Sequence, residues 1–267
     1  MQEDTIPDRV KILGVDVSAI TMHQATATIE RWIQTGEHHY VCITGVHGVM
    51  ESQRDPELMA IHNAAGLVTP DGMPLVWMAH RLGYPAVERV YGPDLMRRMS
   101  TISAGKGYRH FYYGSRPETV RRLTAALTRE CPGLNVVGGL SPPFRALTPE
   151  EDDAEVAQIN AAGADVVWVG LSTPKQERWM ASHIGRLTAP VLIGVGAAFD
   201  FLAGEKRQAP LWMQRNGLEW AFRMASEPRR LAGRYVKNNP AFVLRAIRQL
   251  ATQGRQTPPQ NDAKAAR

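Results

Sequence analysis

Residues 164–180 read ADVVWVGLSTPKQERWM. The first seven residues form a short run rich in Val with one Trp, the composition of a strand buried on both faces. A Gly-Leu-Ser-Thr turn follows, and the spacing then predicts a helix over Pro174 to His183. A wholly apolar strand that turns directly into a helix is the building unit of a parallel sheet covered by helices. The unit recurs on either side of this stretch. Further apolar runs are KILGVDV (11–17), HYVCIT (39–44), GLVTP (66–70), RHFYYG (109–114), LNVVGG (134–139) and PVLIGVG (190–196). Helical stretches of suitable length lie between several of them, over Thr21 to Gln34, Pro117 to Glu130 and Pro149 to Ala161. The expected fold class is α/β, a mostly parallel sheet with helices on both faces, and no repeat of fixed period interrupts it.

Three expected helix starts share one pattern: Ser115-Arg116-Pro117-Glu118, Thr148-Pro149-Glu150-Glu151 and Thr173-Pro174-Lys175-Gln176. Each sets a hydroxyl three residues before Glu or Gln, the spacing of a capping box, with Pro in the first turn where its missing N–H costs nothing. The first and third follow strands directly. They therefore belong to the carboxyl edge of the sheet, where open α/β folds form their ligand crevice.

Composition bounds the rest. With 44% hydrophobic and 21% charged residues in 267, the chain can bury one large core or two small ones. No apolar run approaches the ~18 residues of a bilayer span. The polar start MQEDTIPDRV is not a secretory signal, and two cysteines, Cys42 and Cys131, read as reduced, buried thiols of a cytosolic protein. Charge is unevenly placed. Residues 1–204 hold 18 Lys+Arg against 22 Asp+Glu, whereas residues 205–255 hold 11 against 3. The chain thus divides into a mildly acidic body (1–204), a basic helical appendage (205–255) and a polar tail (256–267) expected to be disordered. Helices are expected over Pro210 to Met224 and Arg229 to Leu250, with a break at Glu227-Pro228 and a kink or second break at Asn239-Pro240. Trp212, Trp220, Tyr235 and Phe242 are interleaved with arginines there. Such a segment suits a polyanion (nucleic acid, an anionic membrane or a phosphorylated ligand), or else a solvated helix with a core-facing aromatic stripe.

Three stretches carry candidate chemistry. Thr69-Pro70-Asp71-Gly72 ends one run and precedes a helix over Met73 to Arg81. It is a common turn sequence, but it also sets Asp71 at a strand end, where a carboxylate can take a proton from an attacking hydroxyl. In Gly170 to Arg178, a helix N-terminus with Lys175 favours an anion, and Gln176 can contact a sugar or phosphate. Gly194 and Gly196 leave bare backbone after a strand, followed by Asp200; Phe199 breaks the full dinucleotide fingerprint. The chain has no phosphate-binding P-loop, no His-Glu-x-x-His, no cysteine pair at metal spacing, no nucleophile elbow and no Asp-x-Asp metal site. If a diphosphate leaves, cations and helix termini of the protein must stabilise it.

Taken together, TPDGMPLVW (69–77), ERVYGPDLM (88–96), FYYGSRPETV (111–120), VWVGLSTPKQERWM (167–180), LIGVGAAFDFLAGEKRQAP (192–210) and LEWAFRMASEPRRLAGRY (218–235) resemble the WecG/TagA/CpsF family of bacterial glycosyltransferases, over roughly residues 10–250. The resemblance implies a Rossmann-like body and a helical appendage that meets the membrane. It implies inverting, metal-independent transfer, without a cofactor, from a UDP-sugar to a polyprenyl-diphosphate-linked saccharide in cell-surface polysaccharide synthesis. By the same resemblance, Asp71 matches the catalytic base. Thr44 matches a threonine near the sugar, Arg89 an active-site arginine, and Gln176 the glutamine of the Pro-Lys-Gln-Glu motif. Arg223, Arg229, Arg230 and Arg234 fall among arginines that close over the diphosphate. Gly72, Gly114, Lys175, Gly194, Gly196 and Asp200 complete the expected substrate-binding set. One departure bears on the donor: many members read Thr-x-Asn-x-Glu where this chain has Thr44, Val46 and Gly48. UDP-N-acetylmannosamine and UDP-glucose are therefore both open.

The expectation is a cytoplasmic enzyme, peripheral on the inner leaflet, that binds no nucleic acid, with exposed apolar surface near the appendage leaving a homo-oligomer open. A non-catalytic module for anionic lipid or polymer is the rival reading, and a nicotinamide oxidoreductase a weaker one.

Overall fold

The structure is a computed structural model and describes residues 7–253. The chain opens with a hairpin, β1 (Arg9–Ile12) and β2 (Val15–Ser18), followed by α1 (Met22–Thr35), β3 (His39–Thr44), α2 (Val46–Ser52), α3 (Pro56–Ala64), β4 (Leu67–Pro70) and α4 (Met73–Arg81). Next come α5 (Gly92–Lys106), β5 (Arg109–Gly114), α6 (Pro117–Glu130), β6 (Asn135–Leu140), α7 (Pro149–Ala162), β7 (Val166–Gly170), α8 (Lys175–His183), β8 (Val191–Gly194) and α9 (Ala198–Leu202). Three helices end the described chain: α10 (Leu211–Arg215), α11 (Glu219–Ser226) and α12 (Pro228–Gln253).

Six strands form one sheet in the order β4-β3-β8-β7-β5-β6, every pairing parallel. The expected α/β architecture is present, and strand alternation explains it. Tyr40 and Cys42 of β3, Phe111 and Tyr113 of β5, and Val167 and Val169 of β7 enter one core, which also takes Met50 of α2, Leu75 of α4, Met180 of α8 and Phe242 of α12. Val41, Tyr112, Val166 and Trp168 point the other way, toward Ile29 of α1, Met99 of α5, Leu123 of α6 and Phe199 of α9. Strands apolar on both faces require helices on both faces. Cys42 and Cys131 are buried, free thiols, and burial pushes Cys42 well above the usual thiol range.

Several local expectations are corrected. KILGVDV is not one strand of the six-stranded sheet but the turn of a separate two-stranded antiparallel hairpin, with Leu13 and Gly14 both at positive φ, the backbone of a two-residue hairpin turn. The capping box forms at Thr148 and Glu151 but not at the other two starts. Arg116, not Ser115, is the N-cap of α6, and it makes no side-chain cap. Pro174 is the N-cap of α8, and the Thr173 hydroxyl donates instead to Glu177 Oε1 at 2.7 Å. The helix expected over Pro210 to Met224 is two helices, because Gly217 adopts φ 67 between them. Pro240, in contrast, breaks nothing: α12 runs through it.

The C-terminal helices are part of the packed body. Phe242 and Ala246 belong to its core, and Leu231 is buried. The Gln249 side chain accepts from Leu13 N–H and donates to Lys11 O. The tail expected to be disordered, 256–267, lies outside the described residues.

Candidate active site

Asp71 is held from both sides. Its N–H donates to Thr44 O at the end of β3 (2.9 Å), and its own carbonyl accepts from Arg89 Nε (3.2 Å). The next residue, Val90, donates its N–H to Pro70 O (2.9 Å). This clamp aims the Asp71 side chain into a cavity of about 570 Å³ at the carboxyl edge of β3, β4, β7 and β8. These strands flank the point where the chain leaves β3 for β4 on one side and returns through β8 on the other, the usual crevice of an open α/β sheet. Asp71 Oδ1 is inaccessible and has no hydrogen-bond partner, while about a third of the side chain remains open. Burial pushes its carboxyl up to about 7 against the pull of Arg89, and Glu219 adds to the rise. A carboxylate with this affinity is matched to general-base work near neutral pH.

Arg89 is the second centre. Nη1 donates to Gln214 Oε1 at 3.0 Å, Nη2 bonds Glu219 Oε2 and stands 3.9 Å from Asp71 Oδ1, and the guanidinium lies 4.0 Å from the Tyr91 ring centroid. A body arginine is therefore bound by two residues of the C-terminal helices.

The opposite wall is cationic. Arg223 of α11 and Arg230 and Arg234 of α12 line the cavity. Arg230 is paired with Glu227 (2.6 Å). Arg223 and Arg234 have no carboxylate within ion-pair distance among the described residues, and the Nε of each is buried without a partner. His47 faces them. Burial and then Arg234 hold it down to about 4, so it is neutral at pH 7. Asn238 ties it to the neighbouring helix: Asn238 Oδ1 accepts from Arg54, and its amide nitrogen stands 3.2 Å from His47 Nδ1. A neutral imidazole and arginines without carboxylate partners around one space suit an anion. Beyond them the cavity becomes apolar between α4 and α12, along Trp77, Met78, Val243, Ile247 and Leu250.

The other expected residues divide. Gly72 and Gly196 line the cavity, as does Gln176, whose Oε1 is buried and unpartnered. Gly194 does not line it. A Cβ there would meet Met180 Cε at 2.6 Å and Gln176 Nε2 at 3.1 Å, so this glycine seats Gln176 and not a ligand. Gly114 is likewise a packing residue: its Cβ would fall 2.8 Å from Gly170 backbone where β5 and β7 close together. The Thr44 hydroxyl is buried 3.1 Å from His62 Nε2, away from the lining. Asp200 is paired with Lys206 (2.7 Å). Lys175 and Arg229 are exposed, outside the lining. Gln214, Glu219, His47, Tyr91 and Asn238 were not singled out from the sequence, although Tyr91 and Glu219 lie within ERVYGPDLM and LEWAFRMASEPRRLAGRY, because their roles depend on contacts between separate elements. The nearest sequence signal was Glu219, one of three acids in the basic segment.

Among the described residues no group of three His, Cys, Asp or Glu gathers to hold a metal ion, and no helix is long and apolar enough to cross a membrane.

The family model of glycosyl transferases WecG/TagA/CpsF matches residues 10–256. The chain belongs to this family. Similar curated proteins are N-acetylglucosaminyldiphosphoundecaprenol N-acetyl-beta-D-mannosaminyltransferases of Staphylococcus aureus, from strains MW2, NCTC 8325 / PS 47 and COL. Each is 26% identical over 245 residues, covering 91% of this chain and 94% of the relative.

Proposed function

We propose that this chain transfers a hexose or N-acetylhexosamine from a UDP-sugar to a polyprenyl-diphosphate-linked saccharide, with inversion and without a metal ion. The observation that carries the reading is Asp71, a carboxylate with a raised proton affinity, in one cavity with Arg89 and two arginines that lack carboxylate partners. Asp71 takes the proton of the acceptor hydroxyl as its oxygen attacks the anomeric carbon. The bond to UDP breaks on the opposite face, and the departing diphosphate charge meets Arg223 and Arg234 of the facing wall. Fixed cations near a developing charge stabilise a transition state without reorganising.

The apolar end of the cavity suits the prenyl part of a lipid-linked acceptor. Val236, Val243, Leu244 and Ile247 of α12 and Leu211 and Trp212 of α10 are exposed, with Arg215, Arg245 and Arg248 exposed among them. This combination favours docking on an anionic leaflet, each basic residue near the surface contributing about 1 kcal/mol. The S. aureus relatives are named for an N-acetylmannosaminyl donor and a GlcNAc-diphosphoundecaprenol acceptor. Here Val46 and Gly48 line the cavity, so UDP-N-acetylmannosamine and UDP-glucose are the donors to compare.

The test measures UDP release from each donor with a GlcNAc-diphosphoprenol acceptor on anionic liposomes, with and without EDTA. Release that requires acceptor and survives EDTA supports the reading. Liposome binding without release from any sugar nucleotide would favour the non-catalytic module.

A further inference from the structure

The Arg89–Glu219 pair joins two parts of the molecule at the reacting carboxylate. Glu219 opens α11, and its carboxylate binds Arg89 Nη2. Gln214 at the end of α10 takes Nη1, the Asp71 carbonyl takes Nε, and Tyr91 covers one face. Each nitrogen of the guanidinium thus has one partner, and these three contacts hold it beside Asp71 without a hydrogen bond to its carboxylate: Oδ1 stays 3.9 Å away and accepts none. A free arginine at that distance would close on the carboxylate as a bidentate pair. Such a pair would satisfy Asp71 and make it a poor base.

We propose that Glu219 is a positioning residue, which restrains Arg89 so that it makes no hydrogen bond to the Asp71 carboxylate and leaves it able to accept the acceptor's proton. The inference rests on the reading of Asp71 as the base. Glu219 acts in two ways: it competes for Arg89, and it adds a negative charge near Asp71. The charged groups acting on Asp71 are Arg89 from the loop before α5, Glu219 and Arg223 from α11, and Asp94 from α5. Of these, Glu219 is the one that also bonds Arg89. Because it belongs to the C-terminal helices, the tuning is present only while those helices are docked. The base is therefore active only in the enclosed cavity.

The experiment follows Asp71 directly, with no need for substrate. In the full chain labelled with ¹³C at aspartate carboxyls, the Asp71 signal is identified by its loss in Asp71→Asn and titrated in wild type, Glu219→Gln and Glu219→Asp. In Glu219→Gln the midpoint is expected to fall by at least about one pH unit, as a like charge leaves and Arg89 pairs with Asp71. In Glu219→Asp, which keeps the charge, it is expected near the wild-type position. The acid limb of kcat/KM should move by the same amount, with a lower plateau. An unmoved midpoint in a folded Glu219→Gln protein, with activity reduced equally at every pH, makes Glu219 a structural tie and overturns the proposal. Turnover undiminished in Asp71→Asn overturns the base assignment itself and the proposal with it, so the two failures are told apart.

Discussion

The α/β body and the C-terminal helices treat their charges in opposite ways. In the body, several arginines are spent on ion pairs outside the cavity lining: Arg109 with Asp165, Arg178 with Asp55 and Glu57, Arg186 with Asp152 and Asp153. In the C-terminal segment, Arg223 and Arg234 turn inward without carboxylates, and large apolar side chains turn outward without cover. Unpaired, half-buried cations and uncovered apolar surface are both costly unless something else supplies the missing partner. The difference teaches where ligands are expected: an anion inside the cavity, and a lipid surface outside it. The helices leave Arg223, Arg234 and their outward apolar side chains to be satisfied only in company, and they supply in turn the Gln214 and Glu219 partners of the body's Arg89.

The sharpest way to break this contrast is at Asp71. Asp71→Asn is expected to lower turnover by about 10²–10⁴, measured as UDP release, because the proton acceptor is lost while the shape is kept. The same change should strengthen the fold at alkaline pH. The folded value near 7 lies above the unfolded one near 4, so the native state holds a proton that the unfolded state has released. Wild-type stability therefore falls as pH rises through that window. Asp71→Asn should unfold later at pH 8, by roughly 1–3 kcal/mol once partial solvent access is allowed for, and no later below about pH 4.

Next comes the claim that the helices belong to the body. Phe242→Ala should cost about 3–5 kcal/mol in thermal or urea unfolding of the whole chain, the usual loss for a buried phenylalanine. An unfolding transition unchanged in midpoint would make α12 an independent arm. Smaller in effect, Arg234→Ala should weaken UDP-induced thermal stabilisation by about tenfold in apparent affinity, or about 1.4 kcal/mol. Body Arg109→Ala, which breaks an exposed pair, should leave UDP binding alone and shift stability by less than about 1 kcal/mol. Equal effects from the two arginines would erase the contrast. The smallest change in fold, with a clear change in partition, is expected for Ile247→Glu: near-neutral in unfolding but weaker in sedimentation with anionic liposomes.

Much of the fold was legible because its signals are local. HYVCIT and RHFYYG appear as strands with the expected bounds, and Pro117–Glu130 and Met73–Arg81 as helices with theirs. Apolar runs of this length have few alternatives. Capping was less legible. Thr148 and Glu151 make their reciprocal bonds, but the same spelling at Thr173 does not, because Glu177 takes the hydroxyl. Site residues followed the same division. Asp71 and Gln176 were recognisable from motif position, whereas Gly114 and Gly194 look like ligand glycines in sequence and act as packing glycines in space. Arg229 and Arg234 sit five apart on one helix with the same chemistry, yet one faces solvent and the other the cavity.

By itself, then, the sequence determined the parallel sheet with helices on both faces, the acid at the end of β4 and the basic character of the last helices. All of these follow from the residue's own chemistry and its near neighbours along the chain. Tertiary structure decided which arginines point inward, that Thr44 belongs to His62, and that Glu219 reaches Arg89 from 130 positions away. Such pairings depend on how separate elements pack against one another, and no spacing within a single element encodes them.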